Sequence, residues 1–305
     1  MFDELISKLK SGNFLTLETT PQHEPSMDTL LAKIKSYDLD KKVDGFSATD
    51  NPLAKLKYSS LFAALKLQTA FNKPVIATMT MRDKNKIALQ SDLLGANDFD
   101  IRTILCLTGD PAKMSDQPNT KGVFESNSTL LLKMIKSFNH GMDLAGRPFK
   151  TQPKEIFPFA VTNSYAKSFK TLEKKMQKKI QEGAIGLISQ PVYDLENAKI
   201  LLESFENAKK EVSSHKQEAQ LIFGIFPIVK LRTALFLSAQ VPGIRVPQNW
   251  IDALEKANDK SEEEERKIGL ELNHKLFEQI KTFHPKIHLM TANNFDLANE
   301  LIVNG

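Results

Sequence analysis

The chain of 305 residues contains one cysteine, Cys106, and no apolar run that approaches the roughly 20 residues of a membrane-spanning helix. One cysteine excludes an intrachain disulfide framework and fits a reducing compartment. The N-terminal segment MFDELISKLK has no long apolar stretch, and it predicts a short amphipathic helix, not a signal peptide. We therefore expect a cytoplasmic protein with no membrane segment and no disulfide scaffold.

An excess of charge of one sign is also lacking. The 41 basic and 37 acidic side chains leave a net charge of +4, and the two signs are interspersed along the chain. This distribution indicates neither a nucleic-acid stripe nor a polybasic membrane patch. The six histidines, His215 among them, show no metal-ligand spacing, so we assign no metal. No glycine-rich phosphate motif of the P-loop or dinucleotide type occurs, which disfavours a Rossmann fold.

The chain does contain a series of apolar runs that are separated by helical patterns. Eight of them are predicted as strands, at residues 13–18, 43–48, 74–79, 101–107, 156–161, 185–190, 220–226 and 286–290. Continuous apolar runs are typical of parallel strands that are buried on both faces, and such strands need helical crossovers. The alternation favours the α/β class and a (β/α)8 TIM barrel, with one catalytic domain over residues 1–305.

The crossover before the last strand has the most detailed helical pattern. We predict two helices there, and Ser261 with Glu264 forms a capping box at the start of the second. The apolar face of this second helix is predicted from steps of four residues at Ile268, Leu272, Leu276 and Ile280.

Polar residues stand where the predicted strands end, and in a barrel these ends share the face at which ligands bind. Glu18 ends the first strand, Asp110 closes the sequence TGD after the fourth, and Gln190 ends the sixth. A carboxylate at the end of a buried strand suits general-acid work, and Gln190 is suited to a two-point amide hydrogen bond. Bland alternatives stay open: an ion-paired glutamate, an aspartate that forms a turn, and a satisfied core amide. The longest irregular segment, 108–125, also begins at this face.

Several segments, in order along nearly the whole chain, resemble the methylenetetrahydrofolate reductase family. They are LETTP at 17–21, TMTMRDKNKIALQSDLLGA at 78–96, IRTILCLTGDP at 101–111, EGAIGLISQPVYD at 182–194, GIFPI at 224–228, VPGIRVP at 241–247 and IHLMTANN at 287–294. The resemblance implies a (β/α)8 barrel that holds FAD at the carboxyl ends of its strands and takes electrons from NADH or NADPH. The implied reaction reduces 5,10-methylenetetrahydrofolate to 5-methyltetrahydrofolate, which supplies methyl groups for methionine synthesis or other one-carbon metabolism.

The resemblance also implies roles for individual residues. Glu18 would be the general acid that opens the five-membered ring of the folate, and Gln190 would hydrogen-bond the pterin. Asp110 would lie near both flavin and pterin, where its charge tunes the flavin and stabilises cationic character in the substrate. The positions that would contact the flavin are Thr49, Thr108, Gly109, Asp110 and, toward the phosphates, Lys179. The implied partners are a reduced folate, NADH or NADPH, and further copies of the chain in a homo-oligomer.

Some positions depart from the family pattern. Thr78 replaces a flavin-contacting histidine, and Thr233 and Leu237 replace a glutamine and a phenylalanine that touch folate or nicotinamide. The electron donor therefore stays open between NADH, NADPH and a partner protein. Two further functions stay open as well: a flavin-free folate-binding barrel that moves methyl or methylene groups, and a non-catalytic interaction subunit of a one-carbon complex.

Overall fold

The computed structural model describes residues 1–212, 218–241 and 243–304, and within these ranges eight parallel strands close into a barrel. The strands are β1 (Phe14–Thr19), β2 (Gly45–Ala48), β3 (Val75–Thr80), β4 (Thr103–Leu107), β5 (Phe157–Thr162), β6 (Gly186–Pro191), β7 (Gln220–Ile225) and β8 (Lys286–Leu289). The sheet closes because β1 pairs with β8 as well as with β2, which sets Phe14 opposite Lys286. The predicted (β/α)8 barrel is confirmed, and every strand end lies within two residues of its predicted place.

Helices surround the barrel. They are α1 (Phe2–Ser11), α2 (Asp28–Ser36), α3 (Leu39–Lys42), α4 (Ser60–Phe71), α5 (Lys86–Asp98), α6 (Ser128–Asn139), α7 (Phe169–Gln181), α8 (Leu195–Lys210), α9 (Leu231–Gln240), α10 (Gln248–Asn258), α11 (Glu262–Phe283) and α12 (Phe295–Asn304). Short 3₁₀ turns lie at Pro52–Ala54 and Ala112–Met114, in the segments after β2 and β4. Within the described ranges, none of these helices combines the length and apolar character that a membrane crossing requires.

The strands have long apolar runs because side chains on both of their faces are covered. All six residues of β3 are buried. Ile76 faces the barrel interior, where it clusters with Leu105 and Phe159, while Val75 and Ala77 belong to the core between strands and helices. Alternate residues of one strand therefore serve two cores, as the period of two along a strand requires.

Helix α1 packs against the apolar interior of the barrel. Its buried side chains, Phe2, Leu5 and Leu9, join the interior cluster together with Phe14 at the start of β1. Burial of one side chain of this size stabilises the fold by about 1.5–3 kcal/mol. The amphipathic N-terminal helix is thereby confirmed, and it covers the barrel at the amino ends of the strands.

The crossover from β7 to β8 holds three helices within the described residues, α9, α10 and α11, so the prediction of two was wrong. The break follows from Pro247, which stands immediately before α10 and cannot continue a helical hydrogen-bond ladder. The predicted N-cap of α11 is confirmed, since Ser261 Oγ accepts a hydrogen bond from the backbone N–H of Glu264 at 3.1 Å.

The buried face of α11 differs in its first half from the predicted one. Leu276 and Ile280 are buried as predicted, whereas Ile268 and Leu272 are only half-buried. The residues buried instead are Glu265, Gly269 and Asn273. The two polar side chains face the segment after β7. Asn273 hydrogen-bonds both the N–H and the carbonyl of Ile228, at 3.1 and 2.8 Å. Glu265 accepts a hydrogen bond of 2.6 Å from the N–H of Leu231. The segment after β7 is thus held by polar groups that an apolar pattern does not reveal.

Candidate functional site

Glu18, Asp110 and Gln190 lie at one end of the barrel. Glu18 is the next-to-last residue of β1, Gln190 is the next-to-last of β6, and Asp110 comes three residues after β4. Because all strands are parallel in a closed barrel, their carboxyl ends form a single mouth. The structure therefore brings the three predicted residues to the same face.

A buried polar cluster inside the barrel supports Glu18. His288 on β8 is only 2% exposed, and its Nε2 atom lies 4.0 Å from Glu18 Oε2. The other ring nitrogen, Nδ1, lies 2.8 Å from Thr16 Oγ1, and Ser47 Oγ is 3.4 Å from Nε2. Glu18 itself keeps 23% of its side chain exposed at the mouth. The cluster thus places a buried imidazole beside a solvent-accessible carboxylate, and each of these two groups is able to carry a proton.

Asp110 follows Gly109, a position at which any other residue would strain the backbone. Gly109 has φ of +93°, and a Cβ atom there would lie 2.9 Å from Arg82 Cβ. This tight turn presents Asp110, which is half-buried, and Asp110 Oδ2 accepts a hydrogen bond of 2.7 Å from the backbone N–H of Leu53 in the segment after β2. Thr108, on the other side of Gly109, accepts from the N–H of Ser128 at 3.1 Å and so caps the start of α6.

A buried guanidinium lies behind this turn. Arg82 is 1% exposed and donates two hydrogen bonds to Asp83, from Nε at 2.7 Å and from Nη2 at 2.6 Å. The hydrogen bond to Asp83 raises the pKa of Arg82, and the charges of Asp50 and Asp110 act in the same direction. Asp50 Oδ2 accepts from the N–H and the hydroxyl of Thr80, at 3.2 and 3.0 Å. Burial raises the pKa of Asp50 despite the bond from Thr80.

Gln190 is covered by the segment between α9 and α10. Gly243 has φ of +85°, and a methyl group there would lie 2.6 Å from Gln190 Oε1 and 2.5 Å from Asn163 Cγ. The carbonyl of Gly243 accepts hydrogen bonds from the N–H of Tyr165 at 3.0 Å and from Ser164 Oγ at 3.1 Å. Pro242, in the matched motif VPGIRVP, lies outside the described residues, as does His215.

Two hydroxyl groups at the mouth are buried and have no hydrogen-bond partner within the described part of the chain. They belong to Thr49, directly after β2, and Thr291, two residues after β8. A buried polar group without a partner is costly, and a bound ligand relieves that cost. Thr49 is one of the positions that the resemblance places against a flavin.

Lys179 lies near the end of α7, and its ammonium donates to the carbonyl of Val161 on β5 at 2.6 Å. Burial, with the nearby Lys175, lowers the pKa of Lys179. The bond to Val161 uses one of the three N–H donors of the ammonium, and its predicted role toward the flavin phosphates stays a prediction.

Sequence reasoning missed two residues that shape the mouth. One is His288, which stands between two apolar residues of β8. Its position in this alternation, on the side opposite its apolar neighbours, was the only signal in the sequence that it faces the barrel interior. The other is Asn293, whose side chain binds the N–H and the carbonyl of Thr20 at 2.9 and 2.7 Å. This pair joins the segments after β1 and β8, which border a cavity of about 420 Å³. Across the described ranges, no group of three or more His, Cys, Asp or Glu residues is placed to hold a metal ion.

Comparison with solved structures finds the same architecture. A protein from Clostridium thermocellum, described as binding two copies of 5-methyl-5,6,7,8-tetrahydrofolic acid, has a TM-score of 0.64 at 13% identity, covering 100% of this chain and 98% of its own. DmoA from Hyphomicrobium sulfonivorans has a TM-score of 0.57 at 8% identity, covering 95% of this chain and 86% of its own. At such low identity these likenesses support the fold alone.

Comparison of sequences identifies the family. Methylenetetrahydrofolate reductase 1 of Schizosaccharomyces pombe is 24% identical over 208 residues, which are 68% of this chain and 31% of the yeast protein. The chain thus spans about a third of that relative's length. The family model described as methylenetetrahydrofolate reductase matches residues 4–304. The chain therefore belongs to the methylenetetrahydrofolate reductase family.

Proposed function

We propose that the chain is a flavin-dependent oxidoreductase that reduces 5,10-methylenetetrahydrofolate to 5-methyltetrahydrofolate with electrons from NADH or NADPH. The observation that carries the proposal is the meeting of Glu18, Asp110 and Gln190 at one barrel mouth, with His288 buried under Glu18. Membership of the family over residues 4–304 supports the substrate class.

FAD is the cofactor that we propose, and the mouth fits such a group. The buried hydroxyl of Thr49 lacks a partner within the described ranges, and the turn at Gly109 leaves the Thr108–Asp110 backbone at the rim. These residues would contact the cofactor, and Lys179, which keeps two further N–H donors beside the bond to Val161, would contact its phosphates. When bound, FAD supplies two-electron chemistry between a nicotinamide and the folate.

Glu18 is the proposed general acid. Its proton goes to the folate nitrogen that leaves the methylene carbon, the carbon–nitrogen bond breaks, and its electron pair stays on that nitrogen. The methylene carbon becomes part of a cationic iminium, which a hydride equivalent then converts to the methyl group. His288 lies beside Glu18, with 4.0 Å between Nε2 and Oε2, and Thr16 orients this imidazole from within the barrel.

Asp110 and Gln190 act on the substrate by charge and by orientation. The carboxylate of Asp110 is half-buried, where its negative charge stabilises a developing cation more strongly than it would in bulk water. The amide of Gln190 offers both a donor and an acceptor, which matches the paired polar edge of a pterin.

A flavin-free folate-binding barrel that transfers methyl or methylene groups is the second candidate. The observation that favours it is the setting of Lys179, because burial lowers the pKa of this ammonium and so weakens its attraction for a flavin phosphate. Flavin binding separates the two candidates, since only the first requires it.

The test is to mix the purified protein with FAD, remove free flavin and record the visible absorption spectrum, and then to titrate a reduced folate. We expect stoichiometric bound flavin, and a change in its spectrum when folate is added under anaerobic conditions. Folate binding without retained flavin would favour the second candidate. Binding of neither would leave a non-catalytic interaction subunit.

A further inference from the structure

Two carboxylates of the segment after β4 bind two backbone N–H groups of the segment after β2. We propose that Asp116 is a positioning residue: it holds residues 51–57 in place, so that the N–H of Leu53 orients the carboxylate of Asp110 toward the substrate. The inference rests on the proposed function, because that function gives Asp110 its role at the mouth.

The orientation of Asp110 follows from how its two oxygens are used. Oδ2 accepts from the N–H of Leu53 at 2.7 Å, and Oδ1 accepts no hydrogen bond within the described ranges. A carboxylate with one oxygen fixed has its rotation fixed, so the second oxygen is held ready for a ligand. The Leu53 N–H, not a side chain, does this work, and its placement depends on the path of the loop.

That path is strained. Asn51, Leu53 and Ala54 have backbone φ angles of 43°, 57° and 57°. These angles lie in the left-handed region, which residues other than glycine rarely adopt. A loop with three such residues keeps its shape only when contacts outside it compensate for the strain.

Apolar burial contributes little to holding the loop. Ala54 is buried, but it is small, and the larger side chains of Leu53 and Leu56 are 44% and 47% exposed. The contacts that remain are polar: Asn51 Oδ1 accepts from the N–H of Lys57 at 2.8 Å, and the N–H of Tyr58 donates to Gln22 at 2.9 Å. Asp116 adds a contact near the end of the segment, at the N–H of Leu56.

Asp116 binds the loop as an ionised group. Its Oδ1 accepts from the N–H of Leu56 at 3.1 Å, and this bond is the main reason why the pKa of Asp116 lies below its usual value, followed by the bond from Gln117. The contact therefore ties Leu56, three residues after Leu53, to the segment that also carries Asp110. Loop and carboxylate are held as one unit.

The test compares Asp116→Ala with Asp116→Asn, whose amide oxygen still accepts from Leu56. Asp98→Ala, at an exposed position at the end of α5, is the matched control. In the ligand-free protein, Asp116→Ala should speed amide hydrogen exchange across residues 51–57 by about tenfold, and Asp116→Asn should stay within about twofold of wild type. Exchange in Asp116→Ala equal to that of the control would overturn the proposal.

A double-mutant cycle separates positioning from a general structural role. Asp116→Ala should slow the folate half-reaction about three- to tenfold and shift the midpoint potential of the bound flavin in the same direction as Asp110→Ala does. In the Asp110→Ala background, Asp116→Ala should slow the folate half-reaction further by less than about twofold. If Asp116→Ala slowed this step as much in that background as in wild type, positioning through Asp110 would be contradicted. If wild type retains no flavin and reduces no folate, the proposed function fails, and hydrogen exchange alone then decides whether Asp116 holds the loop.

Discussion

His288 Nε2 lies 4.0 Å from Glu18 Oε2, and this contact joins the last strand of the barrel to the first. Thr16 Oγ1, 2.8 Å from the other ring nitrogen, fixes the orientation of the imidazole from below. Together with Ser47, the three side chains form a polar column above the apolar cluster of the barrel interior, and the column ends at the mouth. A buried polar network of this kind is costly unless every member is satisfied, which makes it a sensitive place to test the account.

The first prediction concerns this column. His288→Ala should slow reduction of the folate by about tenfold to a hundredfold, because Glu18 loses its partner while remaining able to donate a proton. Thr16→Val should have a smaller effect in the same direction. The measurement is the rate at which methylenetetrahydrofolate reoxidises the reduced enzyme.

Thr103→Val is the matched control for Thr16→Val. Thr103 Oγ1 donates to the carbonyl of Val75 at 2.7 Å, so this variant also loses one buried hydroxyl contact, but at the amino end of β4. It should lower stability without slowing the folate step. Equal slowing in both threonine variants would mean that the column has no special role.

The second prediction concerns the turn before Asp110. Gly109→Ala should lower the free energy of unfolding by about 1–3 kcal/mol, because φ of +93° is unfavourable for alanine and the new Cβ meets Arg82. Gly95→Ala in α5 should raise it by about 0.5–1 kcal/mol, since nothing lies within 4 Å of the added methyl group and alanine favours the helix. Denaturant unfolding of both variants checks this. A Gly109→Ala protein as stable as wild type would contradict the turn geometry.

The third prediction concerns Asp50. Because burial raises the pKa of Asp50, the folded protein disfavours its ionised form. The free energy of unfolding therefore falls as pH rises above the pKa of the unfolded aspartate, about 3.9, and through the pKa of the folded protein. This loss of stability persists at neutral pH. Asp50→Asn keeps an oxygen for Thr80 and removes the charge, so it should raise Tm at pH 7 and give a smaller gain at pH 4. Asp98→Asn, at an exposed site, should change Tm at neither pH; a lower Tm for Asp50→Asn at pH 7 would refute the argument.

The fourth prediction concerns His284, which donates from Nε2 to the carbonyl of Leu221 at 2.8 Å. Burial lowers the pKa of His284, although the bond to Leu221 opposes this. At this position the unfolded chain binds a proton more readily than the folded protein does. Stability therefore falls as pH drops through the pKa of the unfolded histidine, about 6.5, and on through the pKa of the folded protein. His284→Gln retains a donor but does not titrate, and its unfolding free energy should decline less between pH 7.5 and 5. Parallel pH profiles for variant and wild type would show that His284 plays no part.

The barrel was predictable because each strand carries a continuous apolar run, and such a run is visible locally. The observed strand boundaries differ from the predicted ones by one or two residues where a polar residue ends the strand pairing. At β2, for example, Asp44 accepts a hydrogen bond from the N–H of Leu15 through its side chain, and the strand begins only at Gly45. The helix count before β8 failed because Pro247 divides a pattern that reads as continuous. Local signals thus give the elements, and their ends depend on partners.

The place of the candidate site residues was predictable only where it follows from strand position. Glu18 and Gln190 stand at strand ends, which is a local property. His288 was missed because it meets Thr16, 272 residues away, only once the barrel closes. The contact between Asp110 and Leu53 was hidden for the same reason, since no pattern in either segment predicts a bond from a backbone N–H in the other.

The most direct test measures the two half-reactions of Glu18→Gln under anaerobic conditions. Reduction of the bound flavin by NADH or NADPH should be nearly unchanged, because the proposed role of Glu18 is confined to the folate step. Reoxidation by 5,10-methylenetetrahydrofolate should slow by at least about a hundredfold, since the general acid is gone. A variant that keeps the wild-type circular dichroism spectrum but loses both half-reactions, or that reduces the folate at the wild-type rate, would contradict the assignment of Glu18 as the acid.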